Sequence, residues 1–590
     1  MSLNGLNLEM GFGNEAKMVS NNIKKFKYFA QHMHMHSCYQ PGASMEGHMY
    51  HAANLGMKYI WFTDHDVRMG RKIFQIDEFD FEQKELFYVE ESGRSQGFKL
   101  IEKKSKQHVS ENFKAELTKE TCFTGTQCLK ISSDSDEEIW KGGGVYFWSS
   151  GKRHCSSLMA GMKLEIAAMV EQLENSRVIF DVQLSQRPPE HECAHLLYVI
   201  GSTEGLEDAK HTAIIPLASV KGWHKYSLDL SNDVLRQSAL EHGVGGLDNA
   251  FDTLSIIVES KRGAATAYFD DFIIHVQENF EAVRNVQKEV AREKGKLYGV
   301  TPFVGTEITG AGPHKNCFST GVPIISYDEP DYEVSHEDAI AWVNKHGGIF
   351  ALNHPFEEYK RDELNEREKE DRLIWLAEDF IQHKAWGATL MEVGFPMGRE
   401  NFSLQLYLRL WDKLTEAGIF LTGYGSSDNH SNRTDWYDGN NFATWLGVEE
   451  NEVEPVSEEA FVRAMKSGRA YMGNPVVLKG NLVFETEEGL PMGSVLAVDN
   501  AEQCQNIYFA CSQAKKGWKF RLIFNGQAVI EEEINSPDYK FKYIMEPQNN
   551  VNFVRAELYD ENGVCIMLTN PIHVLRRDLE STMISEGEMQ

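Results

Sequence analysis

What the chain is short of narrows it first. Basic residues are the clearest deficit: 59 Lys and Arg stand against 88 Asp and Glu, a formal charge of −29. Sequence-independent nucleic-acid affinity is carried by clustered Lys and Arg, so a nucleic-acid polymer is not expected as partner. The nine cysteines show no CxxC pair and no regular spacing. That argues against a zinc ribbon or a disulfide framework and reads them as small buried hydrophobes. No apolar run is long enough to cross a bilayer, and the opening twenty residues lack the basic-then-apolar order of an export signal. A cytoplasmic protein without a membrane segment is the default expectation; an export signal already trimmed would leave the same trace.

Histidine, by contrast, is present and concentrated. Residues 31–66 hold His34-Met35-His36 and Thr63-Asp64-His65-Asp66, separated by a helix predicted from a Ser44 N-cap to a stop at Gly56 and by a buried strand over 59–62. Two histidines one residue apart on an extended segment face the same way, so both imidazoles can grip one ion. Alone, together with His32, they read equally well as a surface histidine run. Three more apolar runs end in ligand-type residues: 300–304 leads to Glu307 and His314, 348–352 to Asn353-His354-Pro355, and 419–422 to Ser427-Asp428-Asn429-His430. Imidazole with carboxylate is the donor set that suits Zn, Mn or Fe. Titratable groups at the carboxyl ends of strands stand where barrel enzymes keep their chemistry.

His34-x-His36, Thr63-Asp64-His65, Gly305-x-Glu307, His314, Asn353-His354-Pro355 and Ser427-Asp428-x-His430 resemble, in order, the motifs of the PHP (polymerase and histidinol phosphatase) metal-dependent hydrolases. Trp445-Leu446-Gly447-Val448, Ser467-Gly468-Arg469-Ala470-Tyr471 and Thr569-Asn570-Pro571-Ile572 resemble its CehA/McbA branch. The resemblance implies an α/β fold, a distorted (β/α)7-type barrel around a multinuclear site. Glu307 would bridge two divalent ions, with His34, His36 and Asp428 on one and His314 and His354 on the other. His65 and His430, with Asp64, would line a third position. No further His or Asp follows directly after His36, a departure from many members that favours two ions over three and leaves His65 or His430 as proton donor to the leaving group. Asp66 and Glu392 are candidates to orient imidazoles, or are surface or core-edge carboxylates.

The implied activity is hydrolysis by activated water, with a phosphoester of a small or glycan-linked substrate first. Lys315, Arg399 and Arg433 are placed in loops, either to hold a phosphate or as solvated surface charges. One alternative is an ester, amide or carbamate hydrolase on the same metals. Another is a catalytically silent glycan-binding or assembly protein. Oligomeric state is not legible.

With 590 residues the chain exceeds one hydrophobic core. It divides into a polar segment (1–25), a first barrel part (26–74), an insertion (75–285), a second barrel part (286–474), a C-terminal module (475–575) and a tail (576–590). Short alternating runs in the insertion predict a β-sandwich, and its last run, 267–274, is similar to the closing strand of galactose-binding-like jelly rolls. Trp140, Trp148 and Trp223 are either exposed sugar platforms or core. Residues 278–296 read as a solvated helix returning the chain to the barrel. Helix and strand then alternate, which predicts a parallel sheet. Short β runs after 475, with the turn Asn525-Gly526, predict an Ig-like sandwich.

Overall fold

The computed structural model describes residues 25–579 except 40–42, 70–74, 90–94, 102–111, 150–156, 172–173, 191, 238–242, 277–279, 310–313, 320, 326–334, 357–364, 395–403 and 431–441. The polar N-terminal segment up to residue 24 and the tail beyond 579 lie outside the described residues.

Local sequence decides the elements that frame the site. Tyr59–Phe62 is a strand buried along its whole length, as its unbroken Tyr-Ile-Trp-Phe run requires of a strand covered on both faces. It pairs in parallel with Phe26–His32 on one side and Thr301–Val304 on the other. The helix before it, Met45–Asn54, starts where the Ser44 hydroxyl accepts from Gly47 N, one of the donors that a helix start leaves without an intrahelical partner.

The expected (β/α)7-type barrel does not form. The described residues are mostly β, 43% strand against 21% helix, and the donor-bearing strands lie in two separate sheets. The first runs Thr301–Val304, Tyr59–Phe62, Phe26–His32, Ala443–Glu449, Ala470–Gly473 and on into Cys565–Thr569, Val551–Tyr559, Lys519–Phe524 and Gln527–Glu533. The second runs Thr306–Ile308, Lys315–Cys317, Phe350–Leu352, Leu390–Gly394 and Thr422–Gly425. Pairing geometry explains the difference. Phe26–His32 takes Ala443–Glu449 antiparallel on its far edge, and that strand passes the ladder toward the C-terminal module instead of back around a barrel. Lys315–Cys317 is antiparallel to both its neighbours, which interrupts the parallel series. Single bridges, Met35 with Asn429 and His65 with Glu307, join the two sheets, so their loop ends meet face to face.

The C-terminal strands are therefore not an independent Ig-like module: their larger sheet is an extension of the first sheet, opposed by Leu482–Thr486, Gln505–Cys511 and Tyr539–Met545. The Asn570 amide pins this extension to the second sheet, accepting from Gly423 N and donating to Gly423 O and Ala470 O.

The insertion forms a seven-stranded and a six-stranded sheet with Phe98, Phe147, Phe180, Phe269 and Phe272 buried in its core. Trp140 lies under the Arg177 guanidinium, 4.5 Å from ring to cation, and Trp223 donates to Thr121 Oγ1 while packing on Phe123; both are engaged within the sandwich. The Trp148 side chain lies outside the described residues. The sandwich docks on the start of Met45–Asn54, where buried Asp248 accepts from Met45 N and Glu46 N, each at 2.8 Å, and Arg187 reaches Glu46 at 3.0 Å. The returning helix, Phe280–Tyr298, buries Val283 and Val290 and exposes Glu289, Arg292 and Lys296 as a solvated helix does, but it also buries Arg284, Gln287 and Lys294. Among the described residues, no helix is long and apolar enough to cross a membrane.

Two outcomes follow from this packing. Asp248→Ala removes a buried cap from one domain's helix that another domain supplies, and is expected to cost about 2 kcal/mol; a urea midpoint that does not move would show that docking does not depend on it. His573 is buried on Ile572–Arg576, and burial, partly offset by a bond to the Ser494 backbone, pushes its pKa down to about 4. The unfolded imidazole takes a proton near pH 6.5 that the folded one refuses, so stability present above that pH is lost as pH falls toward 4, by about 1.4 kcal/mol per unit. His573→Phe is expected to flatten this limb of the curve of urea midpoint against pH.

Candidate metal centre

Each donor is placed by where its strand stops. Met33 and Met35 are fully buried, and the alternation of an extended segment turns His34 and His36 the other way. The segment is pinned on both flanks: Met35 O accepts from Thr63 N at 2.8 Å, and His36 N donates to Asn429 O at 3.1 Å. Between Thr301–Val304 and Thr306–Ile308 the chain crosses from one sheet to the other at Gly305, where a Cβ would lie 2.4 Å from Cys317 O. That close approach accounts for the glycine and brings Glu307 to the meeting point. His354 and Asp428 have φ of 21° and 49°, in the left-handed region that costs a non-glycine residue about 1–3 kcal/mol. His354 N donates to Glu392 Oε2 at 2.6 Å, which helps to hold that conformation.

Glu307 is the centre of the arrangement. Its Oε2 lies 2.7 Å from His65 Nδ1 and 3.4 Å from His36 Nε2; its Oε1 lies 3.2 Å from His314 Nδ1, 3.3 Å from His354 Nε2 and 3.4 Å from His34 Nε2. Asp428 Oδ1 is 3.0 Å from His36 Nε2 and 3.2 Å from His34 Nε2. Donor atoms within 4.8 Å of one another form three overlapping groups: His34, His36, Glu307 and Asp428; His65, Glu307 and His314; His36, His65 and His430. These residues fit a cluster of cations. Buried His34 Nε2 faces Asp428 Oδ1 and Glu307 Oε1, and Glu307 Oε2 faces His65 Nδ1 and His36 Nε2, the mixed imidazole and carboxylate set that suits a divalent cation. One side is open: His314 and His430 side chains are 33% and 38% exposed, whereas His34, His36 and Glu307 are fully covered.

The electrostatics match this convergence. Burial disfavours the Glu307 and Asp428 charges, but the imidazoles around them, His65, His314 and His34 for the first and His34 and His430 for the second, hold both carboxyls well below the usual range. Burial would keep His34 neutral, yet Asp428, Glu392 and Glu307 push its pKa well up. Burial and the neighbouring His430 and His65 push His36 well down.

Several residues named from sequence stand outside the three donor groups. Asp64 belongs to none of the three donor groups: its carboxylate accepts from Ser37 N, Ser37 Oγ and Gln287 Nε2, at 2.7, 2.7 and 2.6 Å. Asp66 accepts from the Thr309 amide and hydroxyl. Glu392 takes the orienting position, accepting from His34 Nδ1 at 2.6 Å and from the Ser426 and Tyr424 hydroxyls. Lys315 is not a loop cation; it begins the strand Lys315–Cys317 and is buried. Arg399 and Arg433 lie outside the described residues. Sequence reading missed His48, whose Nε2 donates to His36 O at 2.9 Å, and Asn353 as a donor to Glu307 Oε1 at 3.0 Å. His48 repeats at helical spacing with Ala52 on Met45–Asn54, which reads as core; Asn353 was already in view beside His354.

No family model matches the chain, and no curated protein matches it. Among solved structures it is similar to the CBM22-1 xylan-binding domain of Paenibacillus barcinonensis Xyn10C, at 14% identity and TM-score 0.19 over 35% of this chain and 98% of that one. It is similar to carbohydrate-binding modules of the β-sandwich superfamily, at 16% identity and TM-score 0.20 over 34% and 62%. It is also similar to fibronectin(III)-like modules of Clostridium thermocellum CbhA, at 10% identity and TM-score 0.12 over 16% and 93%.

Glu392→Gln keeps the shape beside His34 but removes the charge that orients it. A loss of about 10–100-fold in cation affinity is expected, measured by competition against a chromophoric chelator. Unchanged affinity would show that Glu392 only fills space.

Proposed function

We propose that the chain is a metal-dependent hydrolase acting on a phosphoester of a small or glycan-linked substrate. His34, His36, Glu307 and Asp428 would hold one divalent ion, and His65, Glu307, His314 and His354 a second; His36, His65 and His430 offer donors for a third. The observation that carries this reading is a single buried carboxylate, Glu307, ringed by five imidazoles at 2.7–3.4 Å. Zn, Mn or Fe suits such donors. Bound there, such ions acidify water and neutralise charge growing on the substrate's oxygens.

The chain's own groups do the rest. Glu392 fixes the His34 ring so that Nε2 faces the cluster. His430 directs Nδ1 to the Asp428 carbonyl at 2.7 Å, leaving Nε2 beside His65 on the open side, where the His430 imidazole can pass a proton to a leaving group. The order of motifs resembling the PHP hydrolases supports the reading. Likeness to the CehA/McbA branch makes ester, amide or carbamate cleavage the nearest alternative. With Lys315 buried in a strand, the preference for phosphoesters rests on the superfamily likeness.

Glycan binding without turnover is the second reading. It is supported by a large two-sheet insertion that supplies none of the donors in the three groups and so has a role other than ligating metal.

A panel of p-nitrophenyl phosphate, phosphodiester, acetate and carbamate esters, assayed after chelation and again with Mn or Zn restored, tests both readings. Phosphoester turnover is expected to return with the metal and to be lost in Asp428→Ala and Glu307→Ala together with bound metal. Retention on a polysaccharide column, with neither turnover nor tightly held transition metal, would establish the second reading instead.

A further inference from the structure

The helix that returns the chain from the sandwich carries two buried polar side chains that the chemistry above does not use. Arg284 and Gln287, one turn apart and therefore on one face, are 7% and 0% exposed. Arg284 Nη1 donates to Gly305 O at 2.6 Å and to Val304 O at 3.3 Å, and its Nη2 donates to Thr306 Oγ1. The guanidinium thus clasps the crossing that delivers Glu307, a task suited to its rigid fork of donors. Gln287 Nε2 donates to Asp64 Oδ2 at 2.6 Å. The remaining capacity of Asp64 goes to the ligand segments: its carboxylate takes Ser37 N and Oγ, beside His36, and its carbonyl takes Glu307 N at 3.0 Å. His65 follows it in the chain. One amide therefore steadies one aspartate, whose carboxylate holds the His36 segment and whose carbonyl holds the Glu307 segment.

We propose that Arg284 and Gln287 are positioning residues of the metal centre, holding the segments of His36, His65 and Glu307 at ligand distance before any cation arrives. The inference rests on the metallohydrolase reading. Its physical reason is preorganisation: two carboxylates and several imidazoles in one mouth repel or collapse onto one another unless their backbones are fixed, and an unfixed site loses affinity to the cost of ordering. Burying a guanidinium against carbonyls and a hydroxyl is costly, and a fixed crossing is what that burial provides.

The test uses the full-length protein stripped of metal and the variants Gln287→Met, Arg284→Met and Arg284→Lys. Zn2+ is titrated by calorimetry, Co2+ is followed by its visible absorption, and amide hydrogen exchange is read at Ser37 and Glu307 before metal is added. Gln287→Met is expected to weaken Zn2+ binding by about tenfold or more, alter the Co2+ bands and speed exchange at both amides. Arg284→Lys should recover part of what Arg284→Met loses. Wild-type affinity and Co2+ spectrum in Gln287→Met, with only a lower melting temperature, would overturn the inference and leave the metal centre standing. A wild-type chain that binds neither cation would overturn the metallohydrolase reading itself, and this inference with it. Gln287→Met is uncharged and close in length, so it decides the matter even if Arg284→Met does not fold.

Discussion

A carboxylate buried among imidazoles is the constraint that organises this molecule. Glu307 and Asp428 lie where solvent cannot neutralise them, and burying an unpaired charge costs more than most folds can supply. The chain answers by bringing histidines to them from five separate segments, accepting left-handed backbone at His354 and Asp428 and fixing both flanks of the His34–His36 segment by backbone bonds. Strain and charge burial at one place, sustained by its surroundings, mark a site that the rest of the structure supports.

Two sheets meeting at their loop ends satisfy that constraint without barrel closure. Because the first sheet continues into the C-terminal strands, the rigidity of its donor-bearing edge depends on elements far along the chain. Asn570 bonds to Gly423 and Ala470 across both sheets. Arg555, buried on Val551–Tyr559, pairs with Asp412 on the helix Leu404–Glu416 and with Glu557. A buried ionic network breaks badly if one partner goes, so the terminal strands act as a brace for the second sheet.

The donors themselves were legible because their signals are local. An apolar run ending in His, Asp or Glu shows where a strand stops and what it presents, and Ser44 caps its helix where the sequence places it. Closure was not legible, since nothing in Phe26–His32 says which distant strand takes its free edge. Asp64 was misread for a related reason: sequence shows a carboxylate next to a ligand, and only the folded chain shows its oxygens already taken by Ser37 and Gln287. The polar face of Phe280–Tyr298 has the pattern of a solvated helix, because hydropathy cannot tell a polar side chain bonded to protein from one bonded to water. Lys315 failed in the same way.

The insertion is best understood through its two ends. It leaves the site-bearing sheet after Asp66 and returns through Phe280–Tyr298, so both connections adjoin the donor cluster. On the outgoing side the sandwich supplies Asp248 and Arg187 to Met45–Asn54, the helix whose His48 holds the His36 carbonyl. On the return side, Lys294 and Tyr298 bind the same Glu46 that Arg187 binds, while Arg284 and Gln287 hold the crossing and Asp64. Glu46 is thus a node shared by the sandwich, the return helix and the helix beside the donor cluster. Coupling needs a continuous chain of packed and bonded groups, and these bonds run unbroken from the sandwich through Met45–Asn54 to His36, so the insertion and the donor cluster are parts of one bonded structure.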